Sequence, residues 1–226
     1  MTAKRRAADV FYRDNAISRY LNQGARTAVA DTVRRVMTDR SPVRILELGA
    51  GVGGMTNDIV AGMTGLPVEY HFTDVSTFFL NAAQKRFADR PWMRYGIVDL
   101  NADLPHLPPR DIVVAANVVH NAHDVGRTLG EIHDLIRPGG AVIFIEVCKA
   151  HCPFMTSVYF LMSPRPGQPQ VGLTDVRAGT DRIFLTQDEW HNELTRSGFT
   201  PEPTLPAADQ PLSLLDQYVF TAVRRV

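Results

Sequence analysis

An apolar strand pattern that runs directly into a glycine-rich turn is the feature that most constrains the fold of this chain. Val43–Leu48 has the pattern of a short buried strand, and Gly49–Gly54 follows it without a spacer. Met55–Met63 then suits a helix. Glycines at such a junction tighten the turn and let a ligand approach the backbone, where the helix N-terminus supplies free N–H groups. The sequence therefore predicts a strand, a ligand-binding turn and a helix.

The same alternation of strands and helices continues along the chain. Arg137–Gly140 supplies a proline and glycine stop between a helix and the strand after it. Strands alternating with helices at this spacing indicate an open α/β sheet with helices on both faces. The predicted strands are Val68–Thr73, Met93–Val98, Ile112–Ala116 and Ala141–Val147, and the predicted helices are Ser76–Ala88 and Val125–Ile136.

The last third of the chain begins irregularly and then returns to regular patterns. Cys152–Thr180 is interrupted by proline and glycine, and long irregular segments of this kind are usually functional or mobile. Thr186 and Glu189 match a capping box, which predicts a helix to Ser197 that Gly198 ends. Two extended stretches, 200–205 and 216–223, are expected to complete the sheet.

The N-terminal region differs from the rest because residues 4–39 contain no proline and one glycine. Their apolar positions recur near helical spacing, which predicts one or two amphipathic helices. We find no internal repeat and no second domain. The predicted organisation is a single domain, 1–226, with a helical lid at 1–40 and a ligand-binding α/β core at 41–226.

Composition and charge narrow the classes of function. Apolar residues make up 45% and charged residues 21%, as in ordinary globular proteins. With 24 basic and 24 acidic residues there is no positive excess, so we expect small molecules or proteins as partners, not nucleic acid or membrane. The longest apolar runs are far shorter than the roughly 20 residues that span a bilayer. After Lys4–Arg6, Asp9, Arg13 and Asp14 interrupt the apolar stretch that a signal peptide needs, so a cytoplasmic protein is expected.

The two cysteines, Cys148 and Cys152, lie too close in sequence to form a disulfide framework. His151 between them raises the possibility of a metal ion. A fourth ligand is missing, and buried free thiols beside a core strand are commoner than such sites. We therefore predict no metal site.

The glycine turn is compatible with more than one adenosine cofactor. Gly49, Gly51 and Gly54 satisfy the dinucleotide fingerprint, and Asp74 follows at the distance expected of a ribose-binding acid. This spacing does not choose between NAD and another adenosine cofactor.

Two acidic residues favour S-adenosylmethionine over NAD. Glu47 precedes the turn, and the resulting E-x-G-x-G-x-G pattern resembles motif I of the class I S-adenosylmethionine-dependent methyltransferases. A fixed carboxylate repels a diphosphate and attracts a sulfonium or an ammonium group. Asp99 follows the third strand, where this family has an acid that faces the adenine amino group. The expected cofactor is therefore S-adenosylmethionine, with S-adenosylhomocysteine as the product.

The resemblance also implies a role for each residue of the cofactor site. The glycines would line the methionine tail, Asp74 would bind the ribose, Asp99 would hold adenine, and Asn117 would lie beside the methionyl part. The complete expected set is Glu47, Gly49, Gly51, Gly53, Asp74, Val75, Asp99, Leu100 and Asn117.

A narrower resemblance is carried by Tyr70–Ser76, Asn117–His120, Arg137–Gly140 and the stretch 185–199 with Trp190. These segments are similar to the C-methyltransferase domains of polyketide synthases and nonribosomal peptide assembly lines. The implied fold is a Rossmann-like sheet of seven strands, mostly parallel, with an antiparallel last strand. The resemblance covers roughly residues 43–200, and the family usually has a larger helical lid than this chain.

His120 and Glu146 are the predicted catalytic residues. His120 follows the fourth strand and Glu146 ends the fifth, and adjacent strands of such a sheet bring their carboxyl ends to the ligand crevice. A histidine held by a carboxylate suits a general base near neutral pH. In the family that this chain resembles, such a dyad deprotonates the α-carbon of a β-ketoacyl thioester. His123 is a reserve candidate.

Other functions share these residues. The same dyad would serve an O-methyltransferase acting on a phenol or hydroxyl, and an inactive cofactor-binding scaffold or an NAD-linked reductase would keep the fold. Metal-assisted methylation is disfavoured because residues 117–121 contain no acidic pair. Methylation of nucleic-acid bases is disfavoured by the neutral charge.

The substrate is expected to be hydrophobic or aromatic, and either a diffusible small molecule or an acyl group bound to a carrier protein. Aromatic side chains near the two ends of the predicted crevice would line its pocket. A homodimer is also compatible with the sequence. The predicted pocket residues are Tyr12, Tyr20 and Tyr159.

Overall fold

The computed structural model describes residues 16–38, 41–102, 104, 107–149 and 172–225. Within these ranges the helices are α1 (Ala16–Val36), α2 (Gly54–Gly62), α3 (Thr77–Arg86), α4 (Val125–Leu135) and α5 (Gln187–Arg196). The strands are β1 (Val43–Leu48), β2 (Val68–Thr73), β3 (Met93–Gly96), β4 (Arg110–Ala116), β5 (Ile136–Val147), β6 (Phe199–Pro201) and β7 (Gln217–Arg224).

These strands form one sheet in the order β3-β2-β1-β4-β5-β7-β6. The pairs β1–β2, β2–β3, β1–β4 and β4–β5 are parallel, whereas β7 runs antiparallel to both β5 and β6. This confirms the predicted Rossmann-like sheet with its antiparallel last strand. The strand order reverses between β1 and β4, which opens a crevice at their carboxyl ends.

Both faces of the sheet are buried, which explains why its central strands are continuous apolar runs. Val43 and Ile45 of β1 pack in one hydrophobic cluster together with residues of α1 and α2. Leu46 and Leu48 point to the opposite face and pack in a second cluster with residues of α4 and α5. Since side chains alternate along a strand, the position of a residue decides which face it serves.

Helix α1 belongs to the first of these layers. Leu21, Ala25, Val29 and Val33 recur every four residues and are buried against the sheet and α2. The described part of the predicted lid segment therefore packs as a core helix. Tyr12 lies outside the described residues.

The boundary between α4 and β5 differs from the prediction. The helix ends at Leu135, and β5 begins at once with Ile136. The predicted stop at 137–140 instead forms an irregularity within β5, where the pairing with β4 moves from Arg110↔Ile136 to Ile112↔Ala141. A Cβ at Gly140 would collide with the backbone of Asp111, so the bulged backbone requires glycine there.

The remaining predicted boundaries hold with small changes. Thr186 caps α5 in a capping box with Glu189, and Gly198 follows the helix with a φ of 90°. Strand β3 ends at Gly96, earlier than predicted. No helix within the described ranges combines the length and the apolar character that a membrane crossing needs.

Candidate active site

The glycine loop between β1 and α2 has a backbone that favours glycine at three positions. Gly49, Gly51 and Gly53 have φ values of 57°, 54° and 71°. A Cβ at Gly49 would collide with the side chain of Val118, whereas a Cβ at Gly51 would meet nothing nearer than 3.9 Å. The loop is therefore packed on the side of Val118 and open above Gly51, where a ligand could contact the backbone.

Asp74, directly after β2, holds this loop. Its Oδ2 accepts a hydrogen bond from the N–H of Gly51 at 2.9 Å, and its Oδ1 accepts one from the N–H of Ser76 at 2.8 Å. The neighbouring Val75 is 54% exposed, which is unusual for a large apolar side chain beside a sheet edge. The predicted ribose-binding acid and its neighbour therefore lie at the crevice.

Glu47 is buried beneath the glycine loop. Its side chain is only 1% exposed, and its Oε2 accepts hydrogen bonds from Thr56 Oγ1 at 2.7 Å and Tyr70 OH at 2.8 Å. The role of Glu47 in the cofactor site therefore stays a prediction, and in this structure its Oε2 is bound by protein hydroxyls. Thr56 belongs to α2 and Tyr70 to β2, so the side chain of Glu47 links β1 to both of these elements.

Burial raises the pKa of Glu47 to about 7, because the low-dielectric interior disfavours its charged form. The hydroxyls of Thr56 and Tyr70 act in the opposite direction, and the charge of Asp74 adds to the increase. The group under the loop therefore titrates near neutral pH.

Asp99 and Leu100 follow the carboxyl end of β3. Asp99 is exposed, and its Oδ1 accepts a hydrogen bond from the N–H of Asn101 at 2.9 Å. Asn101 was missed by sequence reasoning, although it links two parts of the site. Its Oδ1 accepts from the N–H of His123 at 2.8 Å, and its Nδ2 donates to the carbonyl of Asn121 at 3.3 Å.

Asn117, the first residue after β4, has a left-handed backbone with φ 51°. Its N–H donates to the carbonyl of Ile145 on β5 at 2.8 Å. Its Oδ1 is buried and has no hydrogen-bond partner in the part of the chain that the structure describes. An unpaired buried acceptor is costly, so a ligand that brings a donor, such as an ammonium group, fits this position.

His120 and Glu146 meet as a buried pair at the carboxyl ends of β4 and β5. His120 Nδ1 lies 2.7 Å from Glu146 Oε2. Glu146 Oε1 accepts hydrogen bonds from the N–H groups of Val118 and His120 at 3.1 and 3.2 Å. His120 is 4% exposed and Glu146 0%. The carboxylate occupies Nδ1, which leaves Nε2 as the imidazole nitrogen for proton transfer.

The chain segment before α5 supplies contacts that the sequence did not predict. The ring of Phe184 lies edge-on to the His120 ring, with centroids 5.0 Å apart. Arg177 is fully buried and donates to the carbonyl of His120. Arg177 lies in the stretch interrupted by proline and glycine and Phe184 follows it, and no periodic pattern there indicates burial.

The other candidate residues are less well placed or not described. Tyr20 donates from its hydroxyl to Gln210 Oε1 at 2.8 Å, and Tyr159 lies outside the described residues. Cys148 is buried, which raises the pKa of its thiol, whereas Cys152 and His151 are not described. The described ranges contain no group of three or more residues able to hold a metal ion.

Comparison with known proteins supports the fold. Residues 46–142 match a family model described as a methyltransferase domain. The strand order and the glycine loop are those of a class I S-adenosylmethionine-dependent methyltransferase fold, and the match places a methyltransferase domain within residues 46–142. The open space at Gly51 and the unpaired Oδ1 of Asn117 fit such a cofactor.

One curated relative and two solved structures show which methyltransferases this chain is similar to. The chain is 34% identical over 151 residues to the non-reducing polyketide synthase pks11 of Talaromyces marneffei, covering 63% of this chain and 6% of that protein. Among solved structures, the CurJ carbon methyltransferase aligns with a TM-score of 0.78 at 24% identity, over 97% of this chain and 58% of that one.

A third similar protein, the trans-methyltransferase CalH, was solved in complex with S-adenosylhomocysteine. It aligns with a TM-score of 0.65 at 26% identity, over 91% of this chain and 57% of its own. The chain thus spans little more than half of the similar structures and a small part of the curated relative.

Proposed function

We propose that this protein transfers a methyl group from S-adenosylmethionine to an acidic carbon of an acyl substrate of the polyketide or nonribosomal peptide type. The observation that carries the proposal is the buried pair of His120 and Glu146, whose nitrogen and oxygen lie 2.7 Å apart at the crevice. Relatives in polyketide synthases and the fold of a carbon methyltransferase support the same chemistry.

His120 is the proposed general base. Its Nε2 removes the proton from the α-carbon, which a neighbouring carbonyl makes acidic, and the resulting enolate carbon becomes the nucleophile. Glu146 keeps the proton of the neutral imidazole on Nδ1 and stabilises the imidazolium that forms. Bound S-adenosylmethionine supplies an electrophilic methyl group, and S-adenosylhomocysteine leaves as the new carbon–carbon bond forms and the sulfur–methyl bond breaks. His120 then releases its proton to solvent.

The proposed cofactor site uses backbone groups and a few side chains at the same sheet edge. Gly49, Gly51 and Gly53 would let the methionine tail lie against the loop, and Asn117 Oδ1 would accept from its ammonium group. Asp74 would bind the ribose hydroxyls, while the exposed Val75, with Asp99 and Leu100, would hold adenine. Glu47 supports the loop from below.

The test uses S-adenosylmethionine with a carbon-13 methyl group. The protein is incubated with β-ketoacyl thioesters, free β-keto acids, thiazolines and phenols, and NMR identifies the atom that carries the label. Pairing carrier-bound with free thioesters separates the two substrate forms. A carbon-bound methyl on a keto compound is the expected result. An oxygen-bound methyl would instead make the protein an O-methyltransferase.

A comparison of two histidine variants tests whether His120 is the general base. We expect His120→Ala to lower turnover by roughly 10² to 10⁴ while the Kd for S-adenosylhomocysteine stays nearly constant. His123→Ala tests the reserve candidate in the same way, because its backbone contacts remain, and we expect it to keep most of the turnover. Full turnover in His120→Ala would remove the dyad from the mechanism.

A further inference from the structure

The segment that precedes α5 returns to the crevice and buries a charged residue there. Arg177 is among the largest fully buried side chains of the described ranges. A guanidinium has five N–H groups, and here they meet five acceptors at 2.6 to 2.9 Å. The acceptors are the carbonyl oxygens of His120, Ala122 and Ile183 and the two carboxylate oxygens of Asp175.

Asp175 completes this arrangement and extends it to α4. Its Oδ2 also accepts from the N–H of Val125, the first residue of that helix, at 3.0 Å. Burial alone would raise the pKa of Asp175, but hydrogen bonds from Arg177 and Val125 lower it. The carboxylate is therefore held in its charged form between the arginine and the helix N-terminus.

His120 is consequently held by two charged side chains. Glu146 contacts its ring Nδ1 and its backbone N–H, while Arg177 contacts its carbonyl oxygen. The histidine lies in a turn of only three residues, Val119–Asn121, which has little regular structure of its own to fix it. Phe184 directly follows Ile183, whose carbonyl Arg177 also binds, and its ring packs edge-on against the His120 ring.

We infer that Arg177 and Asp175 are positioning residues that fix the turn carrying His120, so that its imidazole keeps the geometry needed for proton transfer. The inference rests on the proposed role of His120 as the base. A buried charge is expensive to place, and a network that only stabilised the fold could use apolar residues at lower cost. Here the arginine binds the backbone on both sides of Asn121, at His120 and Ala122.

The test compares variants of two arginines in the same segment. Arg177→Lys keeps the charge, but its three donors cannot serve five acceptors, and Arg177→Met removes all donors. Arg182→Met is the control, because Arg182 is exposed and pairs with Glu189 on the surface. We expect turnover of a β-ketoacyl thioester to fall roughly 10- to 100-fold in Arg177→Lys and further in Arg177→Met. The Kd for S-adenosylhomocysteine should change less than threefold.

A second readout does not depend on methyl transfer. In protein labelled with nitrogen-15 histidine, the NMR signal of the proton on His120 Nδ1 is assigned by its loss in His120→Ala. Its shift should change in Arg177→Lys and stay fixed in Arg182→Met. An unchanged signal together with wild-type turnover in Arg177→Lys would overturn the inference even if Arg177→Met fails to fold. If His120→Ala instead retains activity, the proposed role of His120 as the base fails, and the NMR signal still decides whether Arg177 positions His120.

Discussion

Two buried glutamates, Glu47 and Glu146, occupy equivalent places in the sequence but opposite environments in the structure. Each is the penultimate residue of a central strand, Glu47 in β1 and Glu146 in β5. Each is at most 1% exposed. Glu47 faces the hydroxyls of Thr56 and Tyr70, whereas Glu146 faces two backbone N–H groups and the imidazole of His120.

The difference teaches that the partners of a buried carboxyl group decide what it can do. A hydroxyl can donate or accept, so the partners of Glu47 can satisfy either its neutral or its charged form. A backbone N–H can only donate, so the partners of Glu146 require an acceptor. We infer that Glu47 supports the glycine loop and that Glu146 orients a base.

The largest expected effect comes from exchanging each glutamate for its neutral isostere. Glu146→Gln should lower turnover by roughly 10² to 10⁴, because an amide cannot stabilise the imidazolium of His120. Glu47→Gln should lower it less than about tenfold, since a glutamine oxygen still accepts from a hydroxyl. Steady-state kcat with each variant checks the ranking. A larger loss in Glu47→Gln would contradict the assignment of the two roles.

The contact between the glycine loop and the turn after β4 gives the next largest effect, which is on the unfolding free energy. Gly49 packs against Val118, whose N–H donates to Glu146. Gly49→Ala adds a strained left-handed residue and a collision, which should cost roughly 2 to 4 kcal/mol of unfolding free energy. Gly65→Ala is the control, because Gly65 has a φ of 82° but nothing within 4 Å of an added Cβ. Urea unfolding measures both, and equal losses would show that packing on Val118 contributes nothing.

The pH dependence of the unfolding free energy tests the environment of Glu47. The folded-state pKa of Glu47 is raised from 4.5 to about 7, so between these values the folded protein binds more protons than the unfolded chain. The unfolding free energy should therefore fall as pH rises through this range, by about 3 kcal/mol from this group.

Glu47→Gln should lack this decline, because its side chain does not titrate. The measurement is the difference in unfolding free energy between wild type and variant at pH 5, 6 and 7. Glu202→Gln, at a half-buried surface position paired with Arg35, is the control and should follow the wild-type slope. Parallel curves for wild type and Glu47→Gln would rule out titration of Glu47 in this range.

The smallest expected effect concerns the cofactor alone. Asp74→Ala should weaken S-adenosylhomocysteine binding by about 10- to 100-fold, because the proposed hydrogen bonds to the ribose and the observed one from the N–H of Gly51 would be lost. Isothermal titration calorimetry measures the change. An unaltered Kd would refute the ribose role of Asp74 and leave it as a support of the loop.

Much of the fold and part of the site could be predicted from local sequence. The strand at 43–48, the glycine turn and the capping box of Thr186 and Glu189 depend on neighbours within a few residues. The pairing of His120 with Glu146 was also predictable, because parallel strands bring their carboxyl ends together. The hydroxyl partners of Glu47 and the burial of Arg177 were not, because they join positions far apart in the chain.

The sequence by itself determined which residues form strands, where the chain turns and which side chains can transfer protons, since periodicity and backbone preferences are local properties. Only the tertiary structure decided that Glu47 serves one face of the sheet and Glu146 the other. It also decided that Arg177 reaches the carbonyl of His120 across 57 positions of the chain. The physical reason is that a buried polar group takes whichever partners packing brings to it, and packing is a property of the whole fold.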